Sequence, residues 1–204
     1  MPVVHFIRLH EQRRRLHAVA FDLDSTLTRP YLDFARLRAQ LSLPEGDILH
    51  WAQSLPPAQR GEAFATIAAF EQDGIDNVEW NDGARETLAE VQSRGLPVAI
   101  VTRNSRASLE VVCRRLGIRV DLLVAREDAP PKPDPECVRT AGAGLGVAIE
   151  TLLMVGDFRH DTEAGRAAGA MTVLLTNGRT PMWTVDADLV IERLPELLEY
   201  LSEE

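Results

Sequence analysis

Long apolar runs are missing from this chain of 204 residues. Nothing in it approaches the roughly 18 to 20 consecutive apolar residues of a membrane-spanning helix. No charged, apolar and small-residue leader is read ahead of the first strand pattern. The expectation is a cytoplasmic protein with no membrane partner. Cysteine is scarce too. The only two, Cys113 and Cys137, lack metal-ligand spacing. Cys113 lies with Val112 and Leu116 on the apolar side of a helix pattern, so neither a disulfide nor a thiolate metal site is expected. Positive charge is in deficit, and a net charge of −9 argues against a nucleic-acid partner. Lysine is the scarcest of all: among 22 basic residues only Lys132 is a lysine. It sits within Pro130-Pro131-Lys132-Pro133-Asp134-Pro135. A lone ammonium there suggests a place where arginine's planar fork cannot substitute. The plain alternative is a chance exposed lysine in a proline-rich loop.

What is present is ordinary in bulk: 45% hydrophobic and 26% charged residues, enough for one full core and a small second domain. The informative stretch is Ala18-Val19-Ala20-Phe21-Asp22-Leu23-Asp24-Ser25-Thr26-Leu27-Thr28. A short apolar run leads into two aspartates two residues apart. Read as a buried parallel strand, it delivers both carboxylates to the sheet edge where such folds bind ligands. Ahead of it, Val3, Val4, Phe6 and Ile7 precede Arg13, Arg14 and Arg15, with Glu11 between. A transit sequence and an anion-binding patch are both conceivable there; an edge strand and turn before the first core strand is the favoured reading.

From Arg29 to Trp80 the spacing is helical: Leu32 and Ala35; Phe34, Leu37 and Leu41; a short helix opened by Pro44 and reaching Trp51; and a helix from about Ala58 to Phe70. This is too long for a simple crossover and reads as an inserted helical lobe, residues 29–80, whose aromatics mostly form its own core. Residues 1–28 and 81–204 then form the main α/β domain. Asn81 or Asp82 is expected to cap a helix carrying Ala84, Leu88 and Val91 and ending at Gly95. Strands follow at Pro97–Thr102, Leu122–Val124, Leu152–Val155, Thr172–Leu175 and, more weakly, Leu189–Ile191. Helices fall between them from Ser105 to Leu116, to about Gly146 and to about Gly169, with a terminal one to Leu201. Alternation of this kind means a doubly wound parallel sheet, a Rossmann-like core with helices on both faces.

Polar residues gather behind the strands at one edge: Asp22 and Asp24, then Thr102, Arg103 and Asn104, then Lys132, then Asp157 and Asp161. The set is rich in oxygen, with no lone catalytic histidine or serine arrangement. It suits a hard cation, Mg²⁺ before Ca²⁺ or Zn²⁺. Thr102 and Lys132 offer a hydrogen bond and a positive charge to phosphoryl oxygens, as phosphoryl transfer requires. One carboxylate could attack phosphorus while its neighbour moves the proton.

With these residues in hand, the chain resembles the haloacid dehalogenase superfamily, specifically its phosphoglycolate phosphatase-like branch with a short helical cap. The motifs are FDLDSTL at 21–27, IVTRN at 100–104, PPKPDPE at 130–136 and MVGDFRHDTEAGRAAG at 154–169, in the family order. The resemblance implies Asp22 as nucleophile forming an aspartyl-phosphate, Asp24 as general acid and base, and Thr102 and Lys132 on the phosphoryl group. It implies a Mg²⁺ site made by Asp22, Asp157 and the backbone carbonyl of Asp24, supported by Asp161, with residues 29–80 as the cap. Ser25 stands where glycine is usual and Phe158 where serine is common. Arg103 is either a substrate contact or a surface ion pair, and His160 a bystander rather than a ligand.

The expected function is a Mg²⁺-dependent phosphomonoester hydrolase for a small phosphorylated metabolite, phosphoglycolate or a sugar phosphate by default, working as a monomer or homodimer. A phosphomutase uses the same motifs and is the alternative. A phospho-accepting signalling domain of the receiver type is a reading from another class, disfavoured because there the acidic pair precedes a separate acceptor and threonine and lysine come last.

Overall fold

The computed structural model describes residues 4–9, 12–43 and 46–204. The chain opens with a hairpin of β1 (His5–Leu9) and β2 (Gln12–Leu16) and then enters β3 (Ala18–Phe21). The parallel sheet continues with β4 (Val98–Val101), β5 (Leu122–Val124), β6 (Leu152–Gly156), β7 (Met171–Leu175) and β8 (Leu189–Ile191). All six strands pair in parallel in the order β5-β4-β3-β6-β7-β8. From β3 the chain builds outward one way through β4 and β5, then returns to the other side of β3 with β6. The switch point therefore lies beside β3, where open parallel sheets hold their ligands.

The central strands are apolar throughout because both faces of the sheet are covered. Their period of two still sorts the side chains. Val19, Phe21, Val98, Ile100, Leu153 and Val155 join one core, with Leu88, Leu109 and Leu197. Ala18, Ala20, Ala99, Val101, Leu152 and Met154 join the other, with Ala141, Ala164 and Ala168. The first core is roofed by α4 (Ala84–Ser93), α5 (Arg106–Leu116) and α8 (Leu197–Tyr200), the second by α6 (Glu136–Gly144) and α7 (Arg159–Ala168). Ser105 caps α5 by accepting the Ser108 N–H, and Gly117 ends it at φ +69°.

Between β3 and α4 lie α1 (Phe34–Gln40), α2 (Ile48–Ser54) and α3 (Pro57–Gly74). They bury their own cluster of Leu37, Ile48, Leu49, Ala52, Ala63, Ile67 and Phe70. The chain leaves for these helices and returns from them along an antiparallel bridge of Thr28 with Trp80. Arg29 N–H donates to Glu79 O and Asn81 N–H to Leu27 O, so exit and entry are tied side by side.

Several expectations need correction. Residues 5–16 do not edge the parallel sheet: β1 and β2 form a separate antiparallel sheet with β9 (Leu201–Glu203), in the order β2-β1-β9. Ile7, Leu9, Leu16 and Leu201 point into the first core, which fixes this small sheet against it. Val3 and Glu11 lie outside the described residues. The terminal helix stops at Tyr200, because from Leu201 the backbone extends to pair with β1. The short helix begins at Ile48, capped by Asp47, while Pro44 lies outside the described residues. Gly83 at φ +71°, not Asn81 or Asp82, is the residue before α4. Asn81 instead turns its amide to the carbonyls of Ser25 and Thr26.

Candidate active site

Strand register brings the first polar residues together. Phe21 lies opposite both Ile100 and Val155, so the residues that follow each strand emerge side by side. Asp22 N–H donates to Val155 O at 2.8 Å, which seats its carboxyl between the ends of β4 and β6. Lys132, carried on the loop before α6, is 2% exposed, which removes the chance-surface-lysine alternative. Its ammonium reaches Asp22 Oδ1 at 2.5 Å, Asp161 Oδ1 at 2.6 Å and Val101 O at 2.6 Å. A compact group with three donors fits that pocket; a planar guanidinium does not. Burial alone would depress the Lys132 pKa, but Asp161 and Asp22 outweigh it and hold it above the ordinary value.

Asp161 stands in the first turn of α7 and accepts the Phe158 N–H at 3.0 Å. Its carboxyl packs on Gly156, where a Cβ would lie 2.1 Å from Asp161 Cγ. That close approach explains glycine before Asp157. Oxygens of Asp22, Asp157 and Asp161 all lie within 4.8 Å of one another. Burial raises Asp22 to about 7, against the pull of Lys132 and with the push of Asp161 and Asp24. Burial, then Asp22 and Asp161, raises Asp157 to about 8. Crowded hard-oxygen donors with protons held this tightly fit a divalent cation, which would relieve their repulsion.

Asp24 has a different environment. Its carboxyl accepts from Asn104 Nδ2 at 2.8 Å, and Asn104 also lies 3.4 Å from the Tyr31 hydroxyl. Burial raises Asp24 to about 6, opposed chiefly by a hydrogen bond from Tyr31. Its Oδ1 is buried and unpaired. The turn that follows the two aspartates is held with Ser25 at φ +61°, and the Ser25 carbonyl accepts from Asn177 and Asn81 side chains at 2.7 and 3.2 Å. Those bonds offset the conformational cost of serine in a left-handed position.

These groups form the floor of a cleft of about 350 Å³ whose other walls come from the helical insert, including Phe34, Leu37, Ile48 and Ile67. Arg103 and Asn104 line it; Thr102 is 3% exposed, lies just behind the wall, and accepts the Asn104 N–H at 3.1 Å. Arg103 makes an ion pair, but one inside the cleft rather than on the outer surface. Its Nη2 donates to both carboxylate oxygens of Asp47, the cap of α2, at 2.6 Å and so joins the strand edge to the insert. Arg103 also contacts His160, whose pKa falls to about 4 through burial and then the neighbouring guanidinium. Phe158 stacks edge-on against His160 and Trp183 at 5.0 and 4.9 Å.

Sequence reasoning missed Tyr31 and Glu71. Glu71, from α3, is 4% exposed, lines the cleft, pairs with the buried Arg126 and accepts from the Ser105 and Ser108 hydroxyls. Glu71 shares the buried face of α3 with Ala63, Ile67 and Phe70, but its charge reads as the solvated end of that stripe until its partner Arg126 is seen.

Comparison with known proteins follows the same lines. A family model described as haloacid dehalogenase-like hydrolase matches residues 16–169. Pyrophosphatase PpaX of Bacillus velezensis is 34% identical over 207 residues, covering 91% of this chain and 96% of its own. The N-acetylmuramic acid 6-phosphate phosphatase of Pseudomonas aeruginosa is 30% identical over 225 residues, covering 94% and 97%. A hydrolase from Pseudomonas syringae superposes with a TM-score of 0.74 at 20% identity, covering 90% and 97%, a likeness of fold.

Proposed function

We propose that this chain, which belongs to the haloacid dehalogenase-like hydrolases, is a Mg²⁺-dependent phosphomonoester hydrolase acting on a small phosphorylated metabolite. The observation that carries this reading is the buried arrangement of Asp22, Lys132, Asp161 and Asp157 at the floor of a cleft walled by the helical insert. A relative named N-acetylmuramic acid 6-phosphate phosphatase supports it, and one named Pyrophosphatase PpaX supports the hydrolysis of a phosphoryl bond. We place the protein in the cytoplasm as a monomer or homodimer; among the described residues no helix is long and apolar enough to cross a membrane.

The chemistry assigns unlike roles to the paired aspartates. A carboxylate oxygen of Asp22 attacks phosphorus as the ester P–O bond breaks, and Asp24 gives its proton to the departing alkoxide oxygen. Asp24, now ionised, takes a proton from water while that water's oxygen attacks phosphorus. The Asp22–phosphorus bond breaks and inorganic phosphate leaves. A pKa near 6 suits a group that must donate and then accept near neutral pH. A Mg²⁺ held by Asp22 and Asp157, with Asp161 beside them, would supply positive charge to the phosphoryl oxygens and keep those carboxylates ionised. Lys132 is free to turn from Asp22 to a phosphoryl oxygen once Asp22 bonds to phosphorus. Thr102, which uses its oxygen to accept the Asn104 N–H, keeps its proton to donate. Residues 29–80 act as the cap that shields this chemistry from solvent.

The test is phosphate release from p-nitrophenyl phosphate by the purified chain. Release that requires Mg²⁺ and disappears in Asp22→Asn is expected. Release that persists in Asp22→Asn, or that ignores chelation, overturns the assignment.

A further inference from the structure

The charges around the cleft do not balance in pairs. Its basic residues are Arg38, Arg103 and Lys132. Lys132 is held by Asp22 and Asp161, and Arg103 by Asp47. Arg38 makes no ion pair among the described residues, and its Nη1 is buried with no hydrogen-bond partner. An unpaired buried donor is costly, more so when charged, and folded proteins seldom keep one without a use.

Its position says what the use is. On α1, Phe34, Leu37 and Arg38 fall on one helical face, and all three line the cleft. Arg38 is therefore a single charged donor set in the apolar wall of the insert, away from the carboxylate and lysine floor that the strand ends build. On that floor Asp24 Oδ1 is buried and unpaired as well. Both residues line the same cleft, so an ester lying between them would offer its leaving oxygen to a protonated Asp24 and an anionic group to the Arg38 guanidinium. Guanidinium groups match carboxylate and phosphoryl oxygens in a two-pronged geometry.

We propose that Arg38 binds a second anionic group of the substrate, so that the preferred esters carry a carboxylate or another phosphoryl group besides the one removed. This rests on the hydrolase reading for its substrate class, but the subsite itself is a property of binding. The leaving oxygen lies on the Asp24 side and the distal anion at Arg38.

The experiment has a kinetic and a binding arm, both on the full chain with Mg²⁺. In the first, kcat/KM is compared for 2-phosphoglycolate, 3-phosphoglycerate and ethyl phosphate in wild type, Arg38→Ala and Arg38→Lys, with thermal melts to confirm folding. Wild type should prefer at least one doubly anionic ester. Arg38→Ala should shrink that preference by about tenfold or more, mainly through KM, and Arg38→Lys should restore part of it. Equal losses on all three esters, or an unchanged ratio, overturn the proposal. In the second arm, calorimetry compares phosphonoacetate and methylenediphosphonate with ethylphosphonate. Tighter binding of phosphonoacetate assigns a carboxylate, and of methylenediphosphonate a second phosphoryl. A preference that Arg38→Ala abolishes supports the subsite even if no ester is hydrolysed, in which case only the hydrolase reading fails. Absence of any preference overturns the subsite even if hydrolysis is brisk.

Discussion

Asp22 and Asp24 are two residues apart, yet the protein gives them opposite surroundings. Asp22 meets an ammonium and two further carboxylates; Asp24 meets an amide and a phenol. Under the proposed mechanism these unlike surroundings suit Asp22 to attack phosphorus and Asp24 to carry the proton. Asp24→Asn keeps the shape and the hydrogen-bond capacity toward Tyr31 but cannot carry the proton. It should lower kcat by about 10²-fold or more while leaving KM and the Mg²⁺ requirement nearly unchanged. Steady-state kinetics check this, and an unchanged kcat would move the acid-base role elsewhere. The meeting of both aspartates and Lys132 at one sheet edge was legible because strand ends and a solitary lysine mark themselves locally. Tyr31 was not, because its importance depends on reaching Asp24 from the exit of the first strand's loop.

At the scale of elements, the insert is fastened to the core by charge. Glu71 of α3 and Arg126, 5% and 7% exposed at their side chains, form an ion pair beside the capped start of α5. Breaking such a pair leaves an uncompensated buried charge, whereas replacing both partners with apolar groups does not. Glu71→Ala should therefore destabilise the fold by about 3 kcal/mol. The double variant Glu71→Met/Arg126→Met should recover most of that loss, as urea denaturation would show. If the single and double variants lose equally, the pair is not what fastens the insert. The helices themselves were readable from spacing and end signals: Gly117 and Gly169 stop α5 and α7 in left-handed conformations, as the sequence suggests. The last strand was not readable, since Leu201–Glu203 is extended only because β1 offers it an open edge.

For the whole molecule, the acidic floor is expected to couple stability to pH and, through the proposed Mg²⁺ site, to metal. Asp22 and Asp157 bind protons more tightly folded than unfolded, with folded values near 7 and 8 against 3.8. Their contribution to stability is full below the unfolded value and is lost as pH rises through the folded ones. A cation that binds the ionised carboxylates should restore it. The Mg²⁺-induced rise in Tm is accordingly expected to grow from about pH 5 to about pH 8.5. Differential scanning calorimetry with and without Mg²⁺ checks this, and a shift that stays flat across the range would mean that the carboxylates ionise without help.

Much of this protein follows from local pattern. Four apolar runs with period-two packing, each followed by polar residues, suffice to specify a parallel sheet and to place Asp22, Asp24, Lys132, Asp157 and Asp161 at one edge, because strand direction alone brings those ends together. What only the tertiary structure decides is how the helical insert lies on that edge. Arg38 and Glu71 face the cleft, and Arg103 bonds across it to Asp47, through contacts between residues far apart in the chain. Helical periodicity separates an apolar face from a polar one, but it cannot say which polar residues another element will bury. The carboxylate and lysine floor of the site is thus written in sequence, and the helical wall above it is set by packing.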